Sequence, residues 1–206
     1  MIDHISELCG RTVSRETYLS LEKYGEILAR GNDQQNLISR ASLASLWERH
    51  ILDSAQLARL EPAPGSSWAD VGSGAGLPGV VIALLVAGPV LLIEPRRLRA
   101  EFLLQAVVDL GLSDRVTIAP FKAEKVVGQF DVITARAVAS LDKLMGISTH
   151  LSTGKTRWVL PRGRGARSEL AEARLRWHCG WESVPSRTDP ESEILVLHNV
   201  EARGKR

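Results

Sequence analysis

The chain has 206 residues and a mass of 22.5 kDa, with 44% hydrophobic residues, 24% charged residues and a formal net charge of +2. This composition is typical of one globular domain with a small extension, and it excludes a largely disordered chain. The longest strongly apolar run, residues 80–93, is interrupted by Gly88-Pro89 and is shorter than the ~20 apolar residues that cross a bilayer.

Residues 1–61 carry helical patterns only. Apolar side chains recur at helical spacing from residue 14 to residue 30, and Ser14 is a suitable N-cap. We expect Gly31-Asn32-Asp33 to end this helix and a second helix to span residues 42–60. Pro62–Ser67 has the composition of a linker. The sequence therefore predicts a helical extension over residues 1–61 and a second domain over residues 62–206.

After the linker, short apolar strands alternate with helices. The predicted strands are 68–71, 90–93, 116–119, 130–134 and 157–161, and the predicted helices are 77–87, 97–110, 140–151 and 167–178. This alternation is typical of parallel strands joined by right-handed crossovers. Two further strands, 181–184 and 194–200, have no helix between them and predict an antiparallel pair at one edge. The expected fold is α/β, a doubly wound and mostly parallel seven-stranded sheet.

A glycine-rich loop over residues 72–79 follows the first strand and opens a helix, which is where open α/β sheets bind ligands. Gly74-x-Gly76-x-x-Gly79, with Glu94 twenty residues beyond Gly74, matches the dinucleotide fingerprint and favours a nicotinamide-dependent oxidoreductase. Glycines that begin already at Gly72, after the acidic strand end Asp70, favour S-adenosylmethionine instead, with Glu94 holding both ribose hydroxyls. No Gly-Lys-Ser/Thr follows, so we do not expect hydrolysis of a nucleoside triphosphate.

Five segments follow one another between residues 36 and 140: Asn36-Leu-Ile-Ser39, Arg49-His-Ile-Leu-Asp-Ser54, Asp70-Val-Gly-Ser-Gly-Ala-Gly-Leu-Pro-Gly79, Phe102-Leu103 and Ala135-Arg-Ala-Val-Ala-Ser140. Together they resemble the glucose-inhibited division protein B family (RsmG), the bacterial small-subunit rRNA guanine-N7 methyltransferases. The resemblance implies a class I, Rossmann-like methyltransferase fold with S-adenosylmethionine as cofactor. It also implies a guanine of 16S rRNA as substrate, presented in the small ribosomal subunit or its precursor.

The resemblance further implies roles for individual residues. The backbone of Gly72, Gly74 and Leu77 would contact the methyl donor, and Glu94 would bind its ribose. Ala123 and Glu124 would lie beside the adenine, and Arg136 beside the donor and the target base. Three positions depart from the family pattern, since Ala135 replaces a frequent serine, Leu98 a frequent basic residue, and Arg162-Gly163 the usual lysine-glycine.

Basic residues are concentrated in one stretch, with no acidic residue between Lys155 and Arg167. Such a cluster suits a polyanion, although a merely solvated surface has the same composition. With the family resemblance, we predict RNA contacts at Arg49, Arg162 and Arg164. A second basic cluster lies at Arg96–Arg99.

Guanine N7 carries a lone pair and no proton, so its methylation requires no general base. We therefore expect alignment of donor and target to dominate, with Arg136 orienting the substrate. His50, beside Arg49 and three residues before Asp53, either packs the N-terminal helices on the sheet or contacts the target base. A non-catalytic nucleotide- or RNA-binding module is the remaining alternative to an enzyme.

Cellular setting and assembly follow from the same features. The two cysteines, Cys9 and Cys179, have no metal-ligand spacing, and the N-terminus lacks a basic segment followed by an apolar one. These features predict a reduced, cytoplasmic setting without a membrane partner. We expect a monomer.

Overall fold

A computed structural model describes residues 1–204 and consists of a seven-stranded sheet covered by helices on both faces. The strands are β1 Trp68–Val71, β2 Val90–Ile93, β3 Val116–Ala119, β4 Val132–Thr134, β5 Arg157–Arg162, β6 Trp177–Pro185 and β7 Glu193–Ala202. Their order is β3-β2-β1-β4-β5-β7-β6, in which β1 to β5 are parallel and β7 is antiparallel to both of its neighbours. The predicted mostly parallel sheet with an antiparallel edge pair is confirmed.

Eight α-helices accompany the strands within residues 1–204: α1 Ile2–Cys9, α2 Arg15–Gln34, α3 Arg40–Leu43, α4 Asp53–Ala55, α5 Gly79–Leu85, α6 Arg97–Asp109, α7 Leu141–Ser148 and α8 Ala166–Ala173. Shorter turns of π or 3-10 type lie at Trp47–Leu52, Gln56–Leu60, Ala123–Lys125 and Thr149–Leu151. No helix in residues 1–204 has the length and apolarity needed to cross a membrane.

The first predicted helix has the expected start but a different end. The Ser14 hydroxyl accepts a hydrogen bond from the Thr17 N–H, which confirms the N-cap. The predicted end at Gly31-Asn32-Asp33 was too early, because α2 continues through these residues to Gln34. A Cβ at Gly31 would lie 2.6 Å from Phe102 of α6, so this glycine permits close packing of two helices and does not stop one.

The predicted helix over residues 42–60 is broken into several short pieces. After α3, the chain forms a π-helical turn at Trp47–Leu52, then α4, then a 3-10 turn at Gln56–Leu60. Turns of π type inside helices are frequent at functional sites, because the extra residue redirects side chains and carbonyl groups. This turn contains Arg49 and His50, whose contacts are described below.

Two further elements differ from the expectations. Helix α1 was not predicted, and the predicted helix 167–178 ends at Ala173. Trp177 and His178 instead begin β6, where they pair with Ala202 and Glu201 of β7. Pairing with residues about 25 positions away in the chain overrides the local helical pattern, because the hydrogen bonds to β7 satisfy the backbone groups of β6.

The core consists of two hydrophobic clusters, one on each face of the sheet. The first combines residues of the N-terminal helices, such as Tyr24 and Ile51, with Val81 of α5 and Leu92 of β2. The second holds α7 and α8 against the opposite face. Residues 1–61 therefore share a core with the sheet, while the domain boundary at residue 61 stays a prediction.

Candidate functional site

The glycine loop is shaped by its close approach to other groups. Gly72 and Gly76 have φ angles of +73° and +85°, a region that side-chain-bearing residues avoid. A Cβ at Gly72 would lie 2.6 Å from Val138, and one at Gly76 would lie 2.6 Å from the Tyr24 hydroxyl. The loop thus leaves no room for side chains at either position, and its backbone lies directly under the loop that follows β4.

Glu94 ends the strand next to this loop and is only 4% exposed. Its Oε2 accepts a hydrogen bond from the Gly74 N–H at 2.9 Å, and its Oε1 accepts one from the Arg96 N–H at 2.8 Å. A carboxylate oxygen has two lone pairs, so each oxygen can still accept a hydroxyl group. The two backbone contacts fix the carboxylate at the carboxyl edge of β2.

A cleft of about 290 Å³ opens at this edge, and we call it the first cleft. Gly72, Ala123 and Glu124 all line it, together with Val138 and the cationic side chains of Lys122 and Lys143. The structure therefore brings three of the predicted donor-binding residues together. Gly74 and Leu77 are not among the residues that line this cleft. The Leu77 side chain is buried in the first hydrophobic cluster and the Gly74 N–H is donated to Glu94, while the predicted backbone contacts of both residues with the donor stay predictions.

Asp70 lies below the loop and is 1% exposed. Its Oδ2 accepts the Gly79 N–H at 3.1 Å, while its Oδ1 has no hydrogen-bond partner among residues 1–204. Burial raises the pKa of this carboxyl to about 7, and the hydrogen bond from the Gly79 N–H opposes that rise only in part.

Helix α2 is attached to the glycine loop through Tyr24. This side chain is completely buried, and its hydroxyl donates a hydrogen bond of 2.6 Å to the Ala75 carbonyl. Burial raises the pKa of the phenol well above its usual value, so Tyr24 remains a neutral donor. The N-terminal segment thereby takes part in shaping the loop.

Arg136 follows β4 and points its guanidinium at the π-helical turn. Nη1 donates to Asp53 Oδ2 at 2.9 Å and to the Arg49 carbonyl at 3.3 Å, and Nη2 lies 2.6 Å from His50 Nδ1. Arg136 and Asp53 also line a second cleft of about 370 Å³, beside Pro161, Arg162 and Glu193. Ala139 lines both clefts, so the two are neighbours.

The protonation state of His50 follows from its partner. A guanidinium only donates, so Nδ1 of His50 accepts and the proton of the neutral ring lies on Nε2. Burial, and then the charge of Arg136, lower the pKa of His50 to about 4, so the ring is neutral near pH 7. Nε2 is buried and has no hydrogen-bond partner among residues 1–204. His50 therefore lies behind Arg136, which favours the packing interpretation over contact with a base.

The basic stretch Lys155–Arg167 does not form one cluster in the fold, because β5 runs through it. Lys155 and Arg157 lie at the amino end of β5, where Arg157 donates to the Leu60 carbonyl. At the carboxyl end, Arg162, Arg164 and Arg167 form ion pairs, in that order, with Glu169, Glu191 and Glu193. The strand separates the two groups, and carboxylates from later in the chain balance the second one.

Other cations surround the two clefts. Near the clefts, several exposed or half-buried basic side chains have no carboxylate oxygen within 4.0 Å among residues 1–204: Arg49, Arg96, Arg99, Lys122 and Lys143. Arg99 Nη1 is 3.6 Å from the position of a Cβ at Gly74, and Lys122 and Lys143 line the first cleft. The sequence indicated Arg49 and the basic cluster at Arg96–Arg99, but not Lys122 and Lys143, because it does not show which basic side chains find carboxylates in the fold.

Sequence reasoning also missed the role of Asp53 as the partner of Arg136. The spacing of His50 and Asp53 indicated a pair within one helix, whereas both residues contact an arginine more than 80 residues away. No local pattern in the sequence indicates such a contact.

In the described part of the chain, no three His, Cys, Asp or Glu side chains are arranged to hold a metal ion.

The GidB family model, described as rRNA small subunit methyltransferase G, matches residues 17–191. The chain is 42% identical over 196 residues to the ribosomal RNA small subunit methyltransferase G of Rhizorhabdus wittichii, covering 94% of this chain and 90% of that protein. It is 44% identical over 185 residues to the protein of the same name from Sphingopyxis alaskensis, covering 89% and 79%.

Solved structures share the fold. A SAM-dependent methyltransferase from Aquifex aeolicus has a TM-score of 0.59 and 14% identity, covering 83% of this chain and 97% of that one. MtNAS in complex with S-adenosylmethionine has a TM-score of 0.59 and 18% identity, covering 88% and 77%. These likenesses identify the sheet as the class I, Rossmann-like methyltransferase fold. With the family match over residues 17–191, the chain belongs to the rRNA small subunit methyltransferase G family.

Proposed function

We propose that this protein transfers the methyl group of S-adenosylmethionine to N7 of a guanine in 16S rRNA. One observation carries the proposal: in a chain of this family, a glycine-floored cleft lies beside a fixed carboxylate at the carboxyl edge of the sheet. That edge is where folds of this class bind their ligands.

The first cleft suits the donor nucleoside. Glu94 would accept the two ribose hydroxyls, and the bare backbone at Gly72 would lie beneath the donor. Ala123 and Glu124 would border the adenine, since they follow β3 and line the same cleft. Gly74 and Leu77 would act indirectly, the first by holding Glu94 and the second by fixing the loop from the core.

The nicotinamide alternative has less support. A dinucleotide places its pyrophosphate against free N–H groups at the start of the helix after the first strand. Here the Gly79 N–H at the start of α5 is bonded to the buried Asp70 carboxyl, an acidic group that disfavours an anion. The antiparallel β7 between β5 and β6 also departs from the parallel order of dinucleotide-binding sheets.

The reaction forms a bond between N7 and the methyl carbon while the bond from that carbon to sulfur breaks. The sulfur keeps the electron pair and becomes a neutral thioether, and the purine acquires the positive charge. No proton is transferred in this step. Alignment of the three atoms and carboxylates near the base would therefore contribute most of the acceleration. Asp53 and Glu193 line the second cleft, where the base would enter.

The RNA backbone would lie across the mouths of both clefts. Arg49, Arg96, Arg99, Lys122 and Lys143 would contact phosphates there, because no carboxylate neutralises them among residues 1–204. Arg164 is exposed and could bind a phosphate in place of Glu191. Arg162 is buried against Glu169 and lines the second cleft, so it would help to form the wall of that cleft.

Assembly and compartment extend the same proposal. Both clefts are built from one chain, so a monomer would hold the complete site. Cys9 and Cys179 are free thiols, as expected for a protein working in a reducing cytoplasm. The substrate would be the small ribosomal subunit or its precursor.

The experiment incubates the protein with tritiated S-adenosylmethionine and small ribosomal subunits prepared from cells lacking this methylation, and then locates the labelled nucleoside. We expect 7-methylguanosine in 16S rRNA as the product. Glu94→Gln should raise the KM for the donor, whereas Lys155→Ala, at the opposite edge of the sheet, should leave KM and kcat unchanged. Label on protein, on another base, or nowhere would contradict the proposal.

A further inference from the structure

Three distant segments of the chain meet at the Asp53 carboxylate. Oδ2 accepts from Arg136 Nη1 at 2.9 Å, and Oδ1 accepts from Gln56 Nε2 at 2.9 Å and from Thr188 Oγ1 at 2.7 Å. The Asp53 side chain is 20% exposed and lines the second cleft. Such a convergence of three donors on a half-buried carboxylate is more than the packing of one helix requires.

We propose that Asp53 is a positioning residue for methyl transfer, which fixes the Arg136 guanidinium at the second cleft and offsets its charge during the reaction. This inference rests on the proposed function, because it concerns the guanine that enters the second cleft. It goes beyond that function by assigning the orientation of Arg136 to a residue of the N-terminal segment.

Arg136 has hydrogen-bond partners on both of its terminal nitrogens. Besides Asp53, the Arg49 carbonyl and His50 Nδ1 accept its N–H groups, so both terminal nitrogens have partners on the π-helical turn. Removing the carboxylate would leave two neutral acceptors, which orient a guanidinium less strongly than a charged one. Small displacements of a positioning group lower turnover about 10²-fold even when binding is retained.

The charge of the pair matters as much as its geometry. Arg136 and Asp53 together are neutral, and their side chains are only 19% and 20% exposed. Positive charge develops on the purine as N7 is methylated, so an uncompensated guanidinium would oppose the transition state more than the ground state. Loss of Asp53 should therefore lower kcat and leave the KM for the donor nearly unchanged.

The third segment at Asp53 is the loop between β6 and β7. Gln56 is 1% exposed, its Nε2 lies within hydrogen-bond distance of the Ser186 and Thr188 hydroxyls, and its Oε1 accepts the Arg187 N–H at 2.8 Å. Ser186, Ser192 and Glu193 line the second cleft. Asp53 thus links Arg136 to the opposite wall of the cleft that would receive the base.

The test compares Asp53→Asn with Glu61→Gln. Both replace a carboxylate by its isosteric amide in an ion pair with arginine, but Glu61 pairs with Arg11 at 3.0 Å and lines neither cleft. We expect Asp53→Asn to lower kcat about 10²-fold, with a donor KM within about twofold of the wild type. We expect Asp53→Glu to recover part of that loss, and Glu61→Gln to lower the Tm while kcat stays unchanged.

Thr188→Val provides a second variant, because it removes one donor to Asp53 while leaving the ion pair with Arg136 intact. We expect a smaller loss of kcat, below about tenfold, without a change in donor KM. Unchanged kcat in folded Asp53→Asn, or a loss confined to Tm or to donor KM, would overturn the inference. Wild-type turnover on small subunits is measured first: its absence would overturn the proposed function and this inference together, whereas its presence with an active Asp53→Asn protein would overturn the inference alone.

Discussion

At the scale of single residues, the buried Asp70 carboxyl makes the stability of the protein depend on pH. Its carboxyl is buried beneath the loop, and burial raises its pKa from the ordinary value of 3.8 to about 7. The folded protein therefore binds a proton that the unfolded chain releases above pH 4. The stability contributed by the protonated carboxyl is complete at low pH and is lost as the pH rises through 7.

Urea unfolding at several pH values measures this coupling. Between pH 4 and pH 7.5 we expect Asp70 to reduce the free energy of unfolding by an amount on the order of 4 kcal/mol. Asp70→Asn should abolish that slope, because the amide keeps an acceptor for the Gly79 N–H and cannot ionise. Asp131→Asn is the control: hydrogen bonds from Ser67 lower the pKa of that carboxyl, so its contribution to stability changes only below about pH 4 and the slope between pH 4 and pH 7.5 should stay as in the wild type. Identical pH dependence in Asp70→Asn and the wild type would contradict this interpretation.

Gly76 and Gly65 separate backbone strain from steric contact. Their φ angles are +85° and +86°, but a Cβ at Gly65 would meet nothing within 4 Å, whereas one at Gly76 would meet Tyr24, Val80 and Leu103 within 3 Å. Gly65→Ala should destabilise the fold by about 1 kcal/mol through the backbone alone. Gly76→Ala should cost about 1–3 kcal/mol more because of the contacts. The free energy of unfolding is measured by chemical denaturation. If Gly65→Ala and Gly76→Ala lower it equally, the side chains around Gly76 move aside without an energetic cost and the steric interpretation is wrong.

At the scale of secondary-structure elements, α2 does more than cover the sheet. The Tyr24 hydroxyl bonds to the Ala75 carbonyl inside the glycine loop, so a helix of the N-terminal segment holds the floor of the first cleft. The π-helical turn has a similar relation to the loop after β4, because it supplies the acceptors for Arg136. Both elements of residues 1–61 therefore act on the site from outside the sheet.

Tyr24→Phe tests the role of α2. The variant leaves a buried carbonyl without its donor, which costs about 1–3 kcal/mol, and it frees the loop to move. We expect a lower Tm and a higher Kd for S-adenosylmethionine, measured by calorimetric titration. Ser20→Ala removes a hydroxyl that bonds only to the Glu16 carbonyl within α2, and it should change neither quantity. If the Kd for S-adenosylmethionine in Tyr24→Phe equals that of the wild type, the hydrogen bond from α2 does not contribute to donor binding by the glycine loop.

At the scale of the whole molecule, ion pairing in the fold decides where uncompensated positive charge lies, and the number of basic residues in a stretch of sequence does not. The arginines around the end of β5 pair with glutamates, while Arg96 and Arg99 beside the glycine loop keep their charge. A protein with a net charge of only +2 can still attract a polyanion where several unpaired cations lie close together. The carboxyl edge of the sheet carries such a group here.

Salt titrations of RNA binding test this distribution. Arg96→Ala should weaken binding of 16S rRNA and reduce the slope of log affinity against log salt by about 1, because one phosphate contact is lost. The Arg96 N–H still bonds to Glu94 in this variant, so the donor site is retained. Lys155→Ala removes the same charge at the amino edge and should leave the slope unchanged. Equal slopes for the two variants would exclude the carboxyl edge as the RNA surface.

Several elements were predictable because their signals are local. The bounds of β1, β2 and β3 agree with the sequence prediction residue for residue, since each is a short apolar run between turn residues. Gly31 and Trp177 were misread, because a close helix contact and a long-range strand pair override the local pattern there. Gly72, Ala123 and Glu124 were predicted for one site and do line one cleft. Asp53 was not recognised as the partner of Arg136.

The amino-acid sequence by itself determined the α/β class, the glycine loop and the acidic residue at the end of β2, because spacing along the chain encodes all three. Only the tertiary structure decided which charges are neutralised and what holds Arg136, since Asp53 is 83 residues away from it in sequence. The physical reason is that ion pairs and buried hydrogen bonds depend on distances between side chains in space. Those distances are set only when the N-terminal helices pack on the sheet and the loop between β6 and β7 closes over them.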